Sequence, residues 1–137
     1  MGQQQLLLIV LGVIVVGIAV VVGINLFNAN AVSSNRDGVV SDLNNFGAMA
    51  QQHYKKPLAM GGGGQTFTGA GVNPAQPWAL PTQLDTTANG SYTAGLVIAA
   101  QQVTIVGRGT ELGDDASTVI RHTAIVTPTG ITIAKNN

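Results

Sequence analysis

Residues 6–24 of this chain read LLLIVLGVIVVGIAVVVGI, and no other part of the chain is as apolar. All nineteen residues are apolar or glycine, with no charge and no hydroxyl group. A helix of this length rises about 28 Å, which matches the hydrocarbon thickness of a bilayer. The stretch therefore predicts a helix that is buried either in lipid or among other protein chains.

The composition of the whole chain predicts a small, weakly charged protein. Charged residues make up 9% of the 137, and six basic side chains balance six acidic ones. So low a charge density argues against a surface for nucleic acid. Cysteine is absent, which excludes disulfides and thiolate metal sites. With one tryptophan and three phenylalanines, the core has to be built mainly of valine, isoleucine and leucine.

A secretory signal peptide is one interpretation of an apolar N-terminal run. Such signals begin with basic residues, have an apolar core of about 7–15 residues and end at a small-residue cleavage site. Here residues 1–5 carry no lysine or arginine, the apolar run is longer, and Asn28 stands where a small residue is needed. We therefore expect the run to be kept as a working part of the protein.

The helical pattern continues beyond the apolar run, but on one face only. Apolar side chains recur at three- and four-residue steps, apart from one seven-residue gap. They are Val32, Val39, Leu43, Phe46 and Ala50, followed by His53 or Tyr54. Two lysines and then Pro57 end the pattern. The sequence predicts one helix over residues 3–54, whose second half packs on the rest of the chain through Val32, Val39, Leu43 and Phe46.

Glycine and proline dominate residues 55–90, which we predict to be irregular. Four glycines at 61–64 predict a flexible hinge or loop, and no Gly-Lys-Ser/Thr follows to make it a phosphate-binding loop. Trp78 and Leu80 are expected to hold this region against the helix. The prolines around Trp78 are Pro74, Pro77 and Pro81.

Threonine and β-branched residues predict strands in the last third of the chain. The candidate strands are residues 92–99, 101–106, 118–127 and 131–135, with a loop at 107–115. The turn Pro128-Thr129-Gly130 makes the last two strands a hairpin. We predict an α+β fold, in which the long N-terminal α-helix of residues 1–54 packs on a small C-terminal antiparallel β-sheet of residues 91–137.

The candidate metal ligands are few and poorly spaced. His53 and His122 have no cysteine and no further ligand at metal-binding spacing, so we predict no metal role for them. Glu111, Asp114 and Asp115 form an acidic loop that does not match an EF-hand. A solvated turn is therefore favoured there over a calcium site.

No catalytic set is recognisable in the sequence. A nucleophile elbow is missing, and neither histidine has an evident acidic partner. Asn89-Gly90-Ser91 fits the acceptor pattern for N-glycosylation, but a β-turn is the preferred interpretation. Tyr54, Trp78 and Tyr92 are too few for an electron path and are interpreted as packing residues. We expect a protein that is not an enzyme and uses no cofactor.

The layout as a whole resembles the type IV pilin superfamily, including minimal pilins of bacterial and archaeal surface filaments. The resemblance rests on an apolar N-terminal helix that continues into an amphipathic half, a variable loop and a small C-terminal sheet. It implies a structural subunit whose apolar helices bundle in the core of an extracellular filament while the sheets face outward. It also implies a homopolymer whose subunits wait in the inner membrane before an ATPase-driven machine assembles them for adhesion, motility or biofilm formation.

This resemblance assigns the self-assembly core to the first half of the helix. The core residues are Leu6, Leu7, Leu8, Ile9, Val10, Leu11, Gly12, Val13, Ile14, Val15, Val16, Gly17, Ile18, Val20, Val21, Val22, Gly23 and Ile24. Typical bacterial pilins have a basic leader that ends in glycine and a glutamate at the fifth mature position. Here only Met1 precedes Gly2, and cleavage after Gly2 would put Leu7 at that position. The residues expected to make N-terminal polar contacts instead are Gln3, Gln4 and Gln5.

The alternative hypothesis is a single-span membrane protein with a small outer binding domain, or a pseudopilin of a secretion complex. A monomeric anchor needs only a linker after Ile24, whereas a filament subunit needs one packed helix as far as Phe46. The continuous pattern along this part of the chain favours the filament.

Overall fold

The computed structural model describes residues 2–70 and 75–137, so Met1 and Pro74 lie outside the described residues. A single helix, α1, covers Gly2–Lys55 without a break. Its 54 residues span about 81 Å at a rise of about 1.5 Å per residue. The predicted long helix and the α+β class are confirmed.

The glycines at 61–64 close the carboxyl end of α1. The main-chain N–H of Gly63 donates to the carbonyl of His53 at 2.8 Å, and the N–H of Gln65 donates to the carbonyl of Tyr54 at 2.8 Å. Two of the four glycines have positive φ angles, 74° and 57°, which glycine adopts without strain. Of the predicted hinge or loop, the structure shows a loop, and its N–H groups donate to carbonyls in the last turn of the helix.

The chain between α1 and the sheet is irregular apart from two short 3₁₀ turns, Leu58–Met60 and Thr82–Leu84. Trp78 and Leu80 are buried against the core. The N–H of Trp78 donates to the carbonyl of Phe67 at 2.8 Å, which fixes the two sides of this segment to each other.

Five antiparallel strands form one sheet. They are β1 (Gly90–Ser91), β2 (Val97–Ile98), β3 (Val103–Leu112), β4 (Val119–Val126) and β5 (Ile131–Lys135). Strand β3 is central: β1 and β2 pair with different parts of one of its edges, β4 pairs with the other, and β5 follows β4. The predicted hairpin of the last two strands is confirmed, with the N–H of Thr127 donating to the carbonyl of Gly130 at 2.8 Å.

The predicted strand at 92–99 is wrong for most of its length, since only Val97–Ile98 pairs with β3. Tyr92 is fully buried in the core, and its N–H donates to the carbonyl of Asp85 instead of joining the sheet. Gly95 then takes a φ of 101°, which turns the chain toward β2.

The predicted loop at 107–115 is also wrong in its first part, because β3 continues to Leu112. A Cβ atom at Gly107 would lie 2.8 Å from Val39 and 3.0 Å from the ring of Tyr92. The glycine that suggested a loop is therefore a place where the strand lies too close to the helix for a side chain. An irregularity in the pairing with β4 follows between Arg108 and Leu112.

One core joins the helix, the irregular segment and the sheet. The buried apolar side chains of α1 are Val39, Leu43, Phe46 and Ala50. They pack with Phe67, Trp78, Leu80, Tyr92, Val103, Ile105, Ala124 and Val126. We call this unit, which comprises the second half of α1, the loops and the sheet, the head. Phe46 and Tyr92 meet edge to face with ring centroids 4.8 Å apart, a favourable aromatic arrangement.

Candidate self-assembly helix

The first half of α1 stands free of the head. We call residues 6–27 the apolar segment. Its large side chains are between 53% exposed, at Ile14, and 77% exposed, at Phe27. A fully buried leucine or isoleucine is worth about 1.5–3 kcal/mol relative to an exposed one. The apolar segment therefore needs a cover that the described part of this chain does not supply.

The apolar segment presents apolar groups on all its faces. A helix that is apolar all round belongs inside a membrane or inside a larger protein core, whereas a surface helix has one polar face. The helix is long and apolar enough to cross a membrane. Signal sequences and the core helices of soluble proteins can be equally long and apolar. Hydropathy alone therefore does not distinguish lipid from protein as the surroundings of the apolar segment.

Three glycines interrupt the large side chains of the apolar segment. No described atom of another residue lies within 4 Å of a Cβ placed at Gly12, Gly17 or Gly23, beyond the helix's own backbone. At 100° per residue, Gly12 and Gly23 lie on one face, and Gly17 lies about 140° away from Gly12. Small residues let helix backbones approach closely in an apolar environment. The helix thus offers two different faces for close packing.

The glutamines predicted to make N-terminal contacts lie in the first turns of α1. Gln3, Gln4 and Gln5 are all exposed. The first turn contains no acidic residue, so no side chain of opposite charge is available there to balance the positive end of the helix dipole. No hydrogen bond joins these glutamine side chains to another part of the described chain.

The junction between the apolar segment and the head is fixed by Asn35. Its Nδ2 donates to the carbonyl of Asn89 at 2.8 Å, and its Oδ1 accepts from the N–H of Thr110 at 3.0 Å. One side chain therefore connects α1 to the loop before β1 and to the end of β3. Val32, one turn earlier, is only partly buried and borders a groove beside Leu112.

A second polar contact lies two turns further along the same face, at Asp42. Its Oδ2 accepts hydrogen bonds from the hydroxyl of Tyr92 at 2.6 Å, from the hydroxyl of Thr87 at 2.8 Å and from the amide of Asn89 at 3.0 Å. Burial by itself raises the pKa of Asp42, but these three donors outweigh it and hold the pKa below its usual value. The same environment raises the pKa of Tyr92, first through burial and then through the carboxylate.

The candidate glycosylation site is part of this contact. The amide of Asn89 is committed to Asp42, and its side chain lies so close to α1 that a Cβ at Gly38 would be 2.6 Å from its Oδ1. A glycan on this amide would displace the loop from the helix. The turn interpretation agrees with the N–H of Thr87, which donates to the carbonyl of Gly90 at 2.8 Å.

The acidic loop is held by contacts within the chain. Asp114 forms ion pairs with Arg36 of α1 and Lys135 of β5. The carboxylate of Asp115 accepts from the main-chain N–H groups of Ser117 and Thr118 at 3.0 and 2.9 Å, which lowers its pKa. Within residues 2–70 and 75–137, no three histidine or acidic side chains are grouped to hold a metal ion.

The two histidines lie far apart in the fold. The Nε2 of His53, in the last turn of α1, is 3.1 Å from the main-chain oxygen of Gln76. His122 lies on the inward face of β4 and is buried. The main chain of Ala134 approaches its ring, but neither ring nitrogen forms a hydrogen bond of normal geometry with a described residue.

Sequence reasoning missed Asn35 and Asp42 as structural contacts, since it treated polar side chains of the helix as its solvent face. A signal was present, because the two residues are seven apart and lie with Val39 and Phe46 on one face. Polar side chains on an otherwise apolar face indicate buried hydrogen bonds.

No family model matches this chain, and no curated protein or solved structure matches it either.

Proposed function

We propose that this chain is the structural subunit of an extracellular filament of the type IV pilus kind, polymerised through its apolar segment. The observation that carries the proposal is the unbroken course of α1. The same helix is uncovered over residues 6–27 and fixed beneath the sheet over 35–50. The continuous helix α1 thereby holds each head at a fixed distance from the apolar segment, which would be buried in the polymer.

The energetics favour burial of the apolar segment in some apolar medium. Burial of the sixteen side chains of residues 6–24 that are not glycine, at about 1–2 kcal/mol each, would gain more than the stability of an ordinary domain, about 5–15 kcal/mol. Lipid and a bundle of helices supply most of this gain equally. The choice between them therefore depends on close packing, for which Gly12, Gly17 and Gly23 provide the room.

The geometry of these glycines favours an open polymer over a closed pair. A symmetric dimer uses the same patch on both partners, whereas a head-to-tail contact uses two different patches and extends into a filament. Gly12 and Gly23 share one face, and Gly17 lies on another. A subunit with two packing faces can contact several neighbours at once.

In this proposal the chain resides in the membrane before assembly, since α1 is long and apolar enough to cross it. Its partners are copies of itself and the assembly machinery of the pilus. The outward-facing heads would then serve adhesion, motility or biofilm formation. The chain would act as a building block and not as an enzyme.

A single-span anchor is the second candidate, because the hydropathy of α1 suits a permanent membrane helix equally well. The two candidates differ in what they need at the junction. An anchored head works on a flexible linker, while a filament requires that each head stay rigidly aligned with its helix.

The first experiment is electron microscopy of material sheared from cells that produce the protein, with mass spectrometry of any filament. Filaments made of this chain support the proposal, and the mass of the N-terminal peptide shows whether Met1 and Gly2 are kept. A chain found only as a monomer in the membrane fraction would overturn it in favour of the anchor.

A proline at the junction separates the two candidates. Asn30 is exposed, and Asn30→Pro would remove a helix hydrogen bond and clash with the preceding turn, at a cost of about 3 kcal/mol. The filament proposal expects that Asn30→Pro reaches the membrane with a folded head but forms no filament, while Asn30→Ala assembles normally. Normal filaments from Asn30→Pro would contradict the need for a continuous rod.

A further inference from the structure

Two arginines face each other across the centre of the sheet. Arg108 on β3 and Arg121 on β4 are direct partners in the antiparallel register. Their chain neighbours Gly107 and His122 face the helix and are buried, so both arginines lie on the opposite, outward face. Both are exposed. Directly opposed residues have Cβ atoms about 4.5–5.5 Å apart, which brings both guanidinium groups within reach of one small ligand.

This pairing is unfavourable for the protein alone. Like charges directly opposite each other on a sheet are destabilising. In the described part of the chain, the ion pairs are those of Asp114 with Arg36 and Lys135, and neither Arg108 nor Arg121 takes part in one. Two of the six basic residues of the whole chain therefore stand side by side without a counter-charge within 4 Å.

Among the described residues, the groups around the pair include no ion-pair partner for it. Ser91 of β1 lies opposite Arg108, and the N–H of Asn136 donates to the carbonyl of Arg121 at 3.0 Å. Asp115 borders the same small groove as Arg121, but its carboxylate accepts from the loop N–H groups at 117 and 118 and lies beyond 4 Å from either guanidinium group. What remains is a pair of exposed guanidinium groups on the outward face of the sheet.

We propose that Arg108 and Arg121 form a binding site for a tetrahedral oxyanion, a phosphate or sulfate group. Guanidinium groups offer several N–H donors in a fixed plane and bind such anions through paired, charge-assisted hydrogen bonds. An anion placed between them would also relieve their repulsion. The proposal does not depend on the filament, although a sheet that faces outward would present this site to the surroundings.

The test uses the full chain dispersed in a non-ionic detergent, titrated with inorganic phosphate and, separately, with inorganic sulfate. Chloride replaces each anion at constant ionic strength. The measurement is the ¹⁵N–¹H spectrum of the arginine side chains. Saturable shifts at Arg108 and Arg121 are expected with at least one of the two anions, and the stronger titration identifies which oxyanion the site prefers.

Arg108→Gln and Arg121→Gln should each weaken this binding at least about tenfold, because each removes one set of charge-assisted hydrogen bonds. Lys55→Gln/Lys56→Gln is the matched control, since it removes two adjacent exposed cations elsewhere and should leave the titration unchanged. If either glutamine variant fails to fold, Arg108→Lys tests the same point, since it keeps the charge and loses the planar donor group. Shifts that do not saturate, or that persist equally in the arginine variants, would overturn the site.

Discussion

The hydroxyl of Tyr92 donates a 2.6 Å hydrogen bond to the carboxylate of Asp42, and this contact fixes the helix to the loop between β1 and β2. The ring of Tyr92 is fully buried and lies edge to face with Phe46. One side chain thus meets α1 twice, through an apolar contact and through a polar one. Two such contacts about one turn apart set both the position and the rotation of the helix relative to the sheet.

Replacing this tyrosine tests the polar half of the contact. Tyr92→Phe keeps the ring and removes the donor, and we expect the free energy of unfolding to fall by about 1–2 kcal/mol. Urea unfolding followed by circular dichroism measures the difference. Tyr54→Phe is the control, because the hydroxyl of Tyr54 donates to Gln101 at an exposed position, and its loss should cost less than about 0.5 kcal/mol.

The same variant has a defined pH dependence. The pKa of Asp42 lies below its usual value in the folded state, so its contribution is present above the unfolded pKa of about 3.8. That contribution is lost as the pH falls through the lower, folded pKa. The stability difference between wild type and Tyr92→Phe should therefore shrink in acid. A difference that stays constant from neutral pH to pH 2–3 would mean that the carboxylate is not the relevant acceptor.

We expect a second loss of stability in mildly acidic solution, caused by protonation of His122. Burial lowers its pKa, and the charges of Arg36 on α1 and Lys135 on β5 lower it further. Asp114 pairs with both of these cations, and Gly107 of β3 lies directly opposite His122. The folded state therefore binds a proton less readily than the unfolded state. Stability should fall as the pH drops below the unfolded pKa of about 6.5.

Urea unfolding at several pH values between 8 and 5 measures this effect. His122→Leu should remove most of the loss over this range, and it should fold at least as well at neutral pH, because the ring nitrogens form no hydrogen bond that would be given up. His53→Gln is the control and should keep the loss. An unchanged pH dependence in His122→Leu would assign the effect to another group.

The parts of this structure that depend on local sequence patterns were predictable, whereas those that depend on contacts between distant residues were not. The helix of Gly2–Lys55 followed from the run at 6–24 and the apolar spacing up to Ala50, both of which are local patterns. The strand boundaries were harder to predict from the sequence. Glycine favours a loop by local propensity, but Gly107 lies within a strand, where it leaves room for Val39 of the distant helix. The place of Asp42 on the apolar face indicates a buried hydrogen bond, but its partner Tyr92 is fifty residues away and no local pattern identifies it.

The contact at Gly107 can be tested directly. Alanine is normally better than glycine in a strand by about 0.5–1 kcal/mol. At this position its methyl group would overlap Val39, Leu43 and Tyr92, all fully buried, and overpacking of this kind costs about 1–3 kcal/mol. Gly107→Ala should therefore destabilise the head in thermal unfolding.

Gly130→Ala is the matched control, because its methyl group would meet only Thr127, at an ordinary 3.9 Å. We expect it to change the free energy of unfolding by no more than about 0.5 kcal/mol. If Gly107→Ala behaved in the same way as Gly130→Ala, the close approach of β3 to α1 would not be a constraint on the sequence.

A bulky residue at Gly17 tests the choice between lipid and protein as the cover of the apolar segment. Gly17→Leu adds apolar surface that lipid accommodates, so a membrane anchor should keep or improve its insertion. In a bundle of helices the same side chain would fill the space that lets backbones approach, so filament assembly should be lost while membrane insertion is kept. Val16→Leu, the matched control, adds one methylene next to it and should assemble. The measurement is the fraction of chain in sheared filaments relative to the membrane fraction. Equal filament yields from Gly17→Leu and Val16→Leu would show that no close helix packing occurs at Gly17.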